Sequence, residues 1–271
     1  MRIIFCCIAL TIALFVASAP VEAQATAPAT RPTLYLVGDS TVRVGTPQQM
    51  GWGDPLIPMF DEAKIKVVNK AIGGRSSRSF IQEGRWDEIL TTLTKGDYVI
   101  IQMGHNDGGP LFGDNRERGS IRGIGEETQD VTLTLDANKG KQMTIHTYGW
   151  YLRKYVKDAR EKGATPILCS PIPRGPRPGE PVAVPTEAKS YPLWAQQVAE
   201  QEKVPFIDLH RLIWQRWVDE KMTQEQIKEQ LFTPGNDYTH TGPAGAQFNA
   251  EVVANAIRSL DLPLKDALKP R

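Results

Sequence analysis

The sequence predicts a doubly wound α/β fold: one domain in which helices cover both faces of a parallel sheet. Three observations predict it. Short runs dominated by Val, Ile and Leu alternate with stretches of helical spacing along most of the chain. No internal repeat interrupts that alternation, and it reads as one domain. Finally, 271 residues at 41% hydrophobic and 23% charged can bury a substantial core and are too apolar for a disordered chain.

Taken in order, the first element is a leader rather than part of the fold. Arg2 supplies a positive start, residues 3–16 are apolar, and residues 18–25 are mostly small or polar, with Val21-Glu22-Ala23 as a cleavage triplet. Residues 1–23 therefore read as a signal peptide, and an uncleaved N-terminal anchor is the alternative. The run is short for a spanning helix, and no second one follows. The expected location is secreted or periplasmic, with no membrane partner once the leader is removed. Cys6 and Cys7 leave with it, so Cys169 alone remains, expected as a small buried hydrophobe. Three cysteines make no disulfide scaffold, and no paired Cys/His tract suggests zinc.

An Ala/Thr/Pro linker at 24–32 leads into a domain at 33–262, followed by a C-terminal tail at 263–271. Strands are predicted at 34–37, 66–69, 98–103, 166–169 and 205–208, and helices at 55–63, 86–93, 147–161 and 193–202. In the third helix Tyr148, Tyr151, Leu152, Tyr155 and Val156 recur at helical spacing, and Gly163 stops it. A last helix starts near Pro243 and carries Ala246, Phe248, Val252, Val253, Ala256 and Ile257. The polar segment 108–141 and the proline-rich segment 170–192 break the rhythm as long loops after strand ends, where α/β proteins place their crevice. With 32 Lys plus Arg against 31 Asp plus Glu, no charge bias favours nucleic acid or an anionic membrane.

Four blocks carry candidate chemistry. Ser40, in Gly38-Asp39-Ser40-Thr41, follows the first strand, where a hydroxyl stands above the sheet. Gly73-Gly74 follows the second, where backbone can approach a ligand and offer an N–H. Asn106, in Gly104-His105-Asn106-Asp107, follows the third and supplies an amide donor without a titrating charge. Asp237 and His240 precede the last helix at a spacing of three, so the carboxylate can fix the imidazole tautomer. Each block alone also reads as ordinary turn or cap chemistry. Of the four histidines, His105 is expected to support its loop, and His146 and His210 to be structural. Neither a Gly-x-Ser-x-Gly elbow around Ser40 nor a Walker A sequence is present, which disfavours an α/β-hydrolase lipase and a nucleotide-binding protein.

The order and placement of the blocks resemble the SGNH (GDSL-type) hydrolases over about residues 33–260. The strings Gly-Asp-Ser-Thr at 38–41, Asn-Lys-Ala-Ile-Gly-Gly-Arg-Ser from 69, Gly-His-Asn-Asp at 104–107, Gly-Glu-Glu-Thr at 125–128 and Asp-Tyr-Thr-His at 237–240 are similar to the rhamnogalacturonan acetylesterase branch. Thr41 departs from the Leu of the wider family and matches that branch. The resemblance implies a flavodoxin-like three-layer α/β/α sandwich. It also implies a secreted serine esterase that deacetylates pectin through an acetyl-serine intermediate. Ser40 would be the nucleophile and Ser40, Gly74 and Asn106 the oxyanion donors, with His240 the base and Asp237 its orienter. No metal or cofactor is implied; the partner is an acetylated polysaccharide or oligosaccharide, with no nucleic acid. Arg75 and Arg78 are candidates to face a polyuronate carboxylate, or are solvated or paired with Glu83. Trp52 and Trp150 are candidates to stack on sugars or to pack in the core. The alternatives are a xylan or general short-chain acetylesterase and a non-catalytic secreted carbohydrate-binding protein.

Overall fold

The computed structural model describes residues 31–113, 116–135, 139–185 and 190–270. The expected signal peptide, with Cys6 and Cys7, and most of the expected linker lie outside the described residues. The strands are β1 (Thr33–Gly38), β2 (Lys66–Asn69), β3 (Tyr98–Gln102), β4 (Thr128–Thr132), β5 (Gln142–His146), β6 (Thr165–Cys169) and β7 (Phe206–Ile207). The helices are α1 (Gly53–Leu56), α2 (Ser77–Gln82), α3 (Arg85–Leu90), α4 (Tyr148–Glu161), α5 (Ser190–Glu202), α6 (Leu209–Asp219), α7 (Gln224–Leu231) and α8 (Pro243–Ser259).

Five strands form one parallel sheet in the order β2-β1-β3-β6-β7. The period-two alternation of side chains divides the interior into two cores. Leu34, Leu36, Ile100, Ile167 and Ile207 pack one face against Leu56, Ile213, Trp217, Ile227, Phe248 and Val253. Tyr35, Val37, Val99, Ile101 and Leu168 pack the other against Phe80, Trp86, Leu152, Tyr155 and Val198. Layers of helix, sheet and helix result, as predicted. Because β1 lies between β2 and β3, chain leaving its carboxyl end and theirs opens a crevice at the point where the strand order reverses.

Several elements differ from expectation for local reasons. The predicted helix at 55–63 is the short α1 followed by a 3-10 turn at Ile57–Met59, ended by Phe60 in extended conformation. Pro58 removes a backbone donor and crowds the preceding turn. The helix predicted at 86–93 is α3, set off from α2 by Gly84 at φ 73°. The loop at 108–141 contains the antiparallel hairpin β4–β5, with its own small cluster of Val131, Leu133 and Ile145. The residues expected as a tail include a 3-10 turn at Pro263–Ala267, and Leu264, Ala267 and Leu268 are buried against the first core. Among the described residues no helix is long and apolar enough to cross a membrane.

Behind the crevice, Asp107 is fully buried and accepts from Ser77 Oγ at 2.5 Å and Ser120 Oγ at 2.9 Å. Burial pushes its carboxyl up to about 6, against the pull of the Ser77 and Ser120 donors. The folded state therefore holds a proton that the unfolded chain, with an ordinary carboxylate, has released. The stability this contributes is present below about pH 4 and fades as pH rises through about 6. The Asp107→Asn variant is expected to show a flatter melting temperature between pH 4 and 6 than wild type; parallel slopes would refute the assignment.

Candidate active site

The site begins where β1 runs out of sheet. A Cβ on Gly38 would lie 2.3 Å from Val42 Cγ2 and 2.9 Å from the Gln102 carbonyl oxygen, so only glycine lets the chain turn this tightly. Asp39, fully buried, closes the turn: its Oδ1 accepts from Thr41 N at 2.9 Å and Thr41 Oγ1 at 2.8 Å. Its Oδ2 faces His105 Nδ1 at 3.3 Å, and His105 Nε2 faces the Ile172 carbonyl at 3.1 Å. Burial raises the Asp39 carboxyl, but the His105 imidazole and the Thr41 donors outweigh it and hold it below the usual carboxylate range. Thr41 is anchored in turn by Gln102, which donates to Thr41 Oγ1 at 2.6 Å and accepts from Trp52 Nε1 at 2.8 Å. Trp52 is thus a buried brace under the turn and not a sugar platform. Between these anchors sits Ser40.

Ser40 Oγ lies 2.9 Å from His240 Nε2, and His240 Nδ1 lies 2.7 Å from Asp237 Oδ2. Asp237 and His240 occupy a turn, not a helix, in the segment joining α7 to α8. Asp237 Oδ1 closes this turn by accepting from the N–H groups of Thr239 at 2.8 Å and His240 at 3.0 Å. The segment is clamped by Thr233 N to His240 O at 3.0 Å, Gly242 N to Leu231 O at 3.0 Å and Thr241 Oγ1 to Met50 O at 2.8 Å. Burial raises the Asp237 carboxyl; the backbone N–H groups of His240 and Thr239 and the imidazole reverse this and hold it low. An ionised Asp237 accepting from Nδ1–H leaves Nε2 as the acceptor toward Ser40.

Gly74, at φ 80° in the left-handed region, and Asn106 complete the wall around Ser40. Among the described residues neither the Ser40 nor the Gly74 N–H enters a backbone hydrogen bond outside this wall. Asn106 Nδ2 donates to the Arg75 carbonyl at 2.9 Å, which sets the amide plane and leaves its second N–H for a ligand. The resulting cleft has a volume of about 940 Å³ and brings Ser40, Gly74, Asn106 and His240 to one surface. Two backbone N–H groups and one amide beside a hydroxyl and an imidazole are the equipment for acyl transfer through a stabilised oxyanion.

The two candidate arginines part company. Arg75 lines the cleft, where its Nε pairs with the Glu83 carboxylate at 3.0 Å and its Nη1 donates to the Gly73 carbonyl at 2.9 Å. Arg78 is buried, with Nη1 donating to the Leu111 carbonyl at 3.0 Å, and does not line the cleft. Arginine at the start of α2 carried no mark in the sequence to tell an inward from an outward guanidinium. Trp150 stacks on His146, ring centroids 3.8 Å apart, away from the cleft. Gln49, which donates to Asp237 Oδ2 at 3.2 Å, and Arg116, Arg118 and Arg174 on the cleft wall went unread in the sequence. All four come from irregular segments, where no periodicity marks a facing side chain.

The chain matches the model of the GDSL-like lipase/acylhydrolase family over residues 36–248. It is 33% identical over 243 residues to the probable rhamnogalacturonan acetylesterase YesY of Bacillus subtilis, spanning 87% of this chain and 96% of that protein. To the rhamnogalacturonan acetylesterase of Emericella nidulans it is 33% identical over 237 residues, 87% of this chain and 89% of that one. Among solved structures, YxiM of Bacillus subtilis superposes with a TM-score of 0.64 at 25% identity, covering 84% of this chain and 56% of that one. A catalytic mutant of Axe2, an acetylxylan esterase from Geobacillus stearothermophilus, shares the fold at a TM-score of 0.54 and 18% identity over 89% and 97% of the two chains.

Proposed function

The chain belongs to the GDSL-like lipase/acylhydrolase family and is a carboxylic ester hydrolase; from that premise we propose that it removes O-acetyl groups from rhamnogalacturonan through an acetyl-serine intermediate. The observation that carries the chemistry is the continuous relay from Ser40 Oγ through His240 to Asp237, at 2.9 and 2.7 Å, beside the Gly74 and Asn106 donors.

In this reading His240 Nε2 takes the Ser40 proton as Oγ attacks the acetyl carbonyl. The carbonyl oxygen becomes an oxyanion held by the N–H groups of Ser40 and Gly74 and the Asn106 amide, donors that need no reorganisation as charge develops. The imidazolium, stabilised by Asp237, protonates the departing sugar oxygen and the tetrahedral adduct collapses to acetyl-Ser40. Water then enters, gives its proton to His240, and attack on the acetyl carbonyl releases acetate and restores Ser40. Each oxyanion donor in such a site is worth on the order of 10²–10³ in rate.

The substrate assignment rests on two supports. The relatives that span most of this chain at 33% identity bear the name rhamnogalacturonan acetylesterase. The cleft wall also carries the guanidinium groups of Arg75, Arg116, Arg118 and Arg174, the donor chemistry that binds the carboxylates of an acidic polysaccharide. The leader read at 1–23 makes export part of the same proposal. Acetate release is expected to be faster from acetylated rhamnogalacturonan than from acetylated xylan at equal acetyl content. A preference for xylan would retain the esterase chemistry and overturn the substrate.

A further inference from the structure

We propose, building on the polysaccharide reading above, that a depression beside the catalytic cleft is a second sugar-binding site. It would hold the stretch of the same chain that leaves the cleft beside the acetylated sugar, with Trp214 as the platform for a sugar ring and Arg174 as the partner of the nearest uronic carboxylate. The depression has a volume of about 640 Å³ and shares His105 and Arg174 with the catalytic cleft, so the two adjoin along one rim. A polysaccharide with one acetyl group at Ser40 must leave the cleft in some direction, and this rim gives it a path lined by protein.

The lining suits a sugar acid. Trp214, on α6, is half-buried and sits edge-on to the fully buried Trp217 with ring centroids 4.8 Å apart, which fixes its plane. A fixed aromatic ring offers an apolar surface to the C–H face of a sugar at little ordering cost. Tyr191 and Pro192 line the same depression, Gly108 and Gly109 leave its wall low, and among the described residues no carboxylate lines it. Arg174 is exposed; its Nη1 donates to Thr239 Oγ1 and, among the described residues, its guanidinium enters no ion pair. Arg75, by contrast, is already paired with Glu83, and Arg118 Nη1 donates to the Gly74 carbonyl at 2.9 Å. A guanidinium with donors to spare beside an aromatic platform matches the planar carboxylate of a uronic acid bidentately. Arg174 comes from the proline-rich excursion and Trp214 from the helix after β7, so this site gives both segments a use.

The test compares wild type, Trp214→Ala, Trp214→Phe and Arg174→Gln on acetylated rhamnogalacturonan, on the same polymer with its carboxyls reduced to alcohols, and on p-nitrophenyl acetate. Trp214→Ala is expected to raise KM for the acidic polymer about tenfold, a 1.4 kcal/mol effect, while turnover of p-nitrophenyl acetate, too small to span both sites, stays unchanged and reports an intact fold. Trp214→Phe keeps a ring and is expected to fall between wild type and Trp214→Ala. Arg174→Gln is expected to narrow the preference of wild type for the acidic over the carboxyl-reduced polymer, and an unchanged preference would remove Arg174 as the carboxylate partner. An unchanged polymer KM in Trp214→Ala, or a wild-type enzyme indifferent to carboxyl reduction, would overturn the second site while leaving the esterase assignment standing. Should Trp214→Ala not fold, inhibition of wild-type p-nitrophenyl acetate hydrolysis by unacetylated rhamnogalacturonan oligosaccharides decides the matter. Tighter inhibition by a hexamer than by a dimer supports the site, and equal inhibition overturns it. Wild type releasing no acetate from acetylated rhamnogalacturonan is a separate outcome, and it would remove the substrate reading itself.

Discussion

Ser40→Ala is expected to lower kcat on acetyl esters by about 10⁶ while the protein stays folded. The hydroxyl is the atom that becomes acylated, so its loss removes the covalent route; what remains is whatever the oxyanion donors and binding do for attack by water. The fold has little reason to respond. Among the described residues Ser40 Oγ makes one side-chain hydrogen bond, to His240, at the surface of a cleft. Asp39, Thr41 and Gln102 hold the turn from beneath without it. Stability is expected to shift by no more than about 1 kcal/mol, the size of one ordinary hydrogen bond. Acetate release and a thermal melt on the same preparation check both halves.

The second large effect is at Asp237. Asp237→Asn is expected to cost about 10⁴ in kcat, the size of the effect when the orienting carboxylate of a serine triad becomes an amide. Keeping an oxygen at the Oδ1 position preserves the acceptor for the N–H groups of Thr239 and His240, so the turn survives. An amide nitrogen at the Oδ2 position, however, faces His240 Nδ1 as a donor, and also faces Gln49 Nε2. The imidazole must then present Nδ1 as acceptor and Nε2–H toward Ser40, the tautomer that cannot take a proton. The loss should fall on kcat with KM little changed, because Asp237 touches His240 and not the sugar. An Asp237→Asn variant with wild-type kcat would remove the triad assignment.

The sheet was readable because its strands are buried on both faces and so spell continuous Val, Ile and Leu. The order of Ser40, Gly74, Asn106 and Asp237-x-x-His240 relative to those strands was readable too, and the structure brings Ser40, Gly74, Asn106 and His240 to one cleft with Asp237 behind the imidazole. Other features were hidden by the physics that made them. The β4–β5 hairpin carries exposed Thr, Gln and Asp and buries little beyond Val131 and Ile145, so its alternation is faint. Helix α6 carries Leu209, Ile213 and Trp217 at helical spacing, a pattern visible in the sequence itself. Arg78 turns inward because the packing of α2, not its sequence, decides where that side chain goes, while Arg75, in the turn before the cap of α2, pairs with Glu83. Arg174 and Gln49 reach the site from irregular backbone whose course only the tertiary structure defines.

The central claim is an acetyl group carried on Ser40. Its most direct test is peptide mass mapping of enzyme quenched in acid during turnover of p-nitrophenyl acetate, with His240→Ala included to slow breakdown of the adduct. An acetylated peptide is expected whose fragments place the modification on Ser40, absent from Ser40→Ala. Acetyl found on another residue, or a fully active enzyme that transfers acetyl to water with Ser40 never modified, would contradict it.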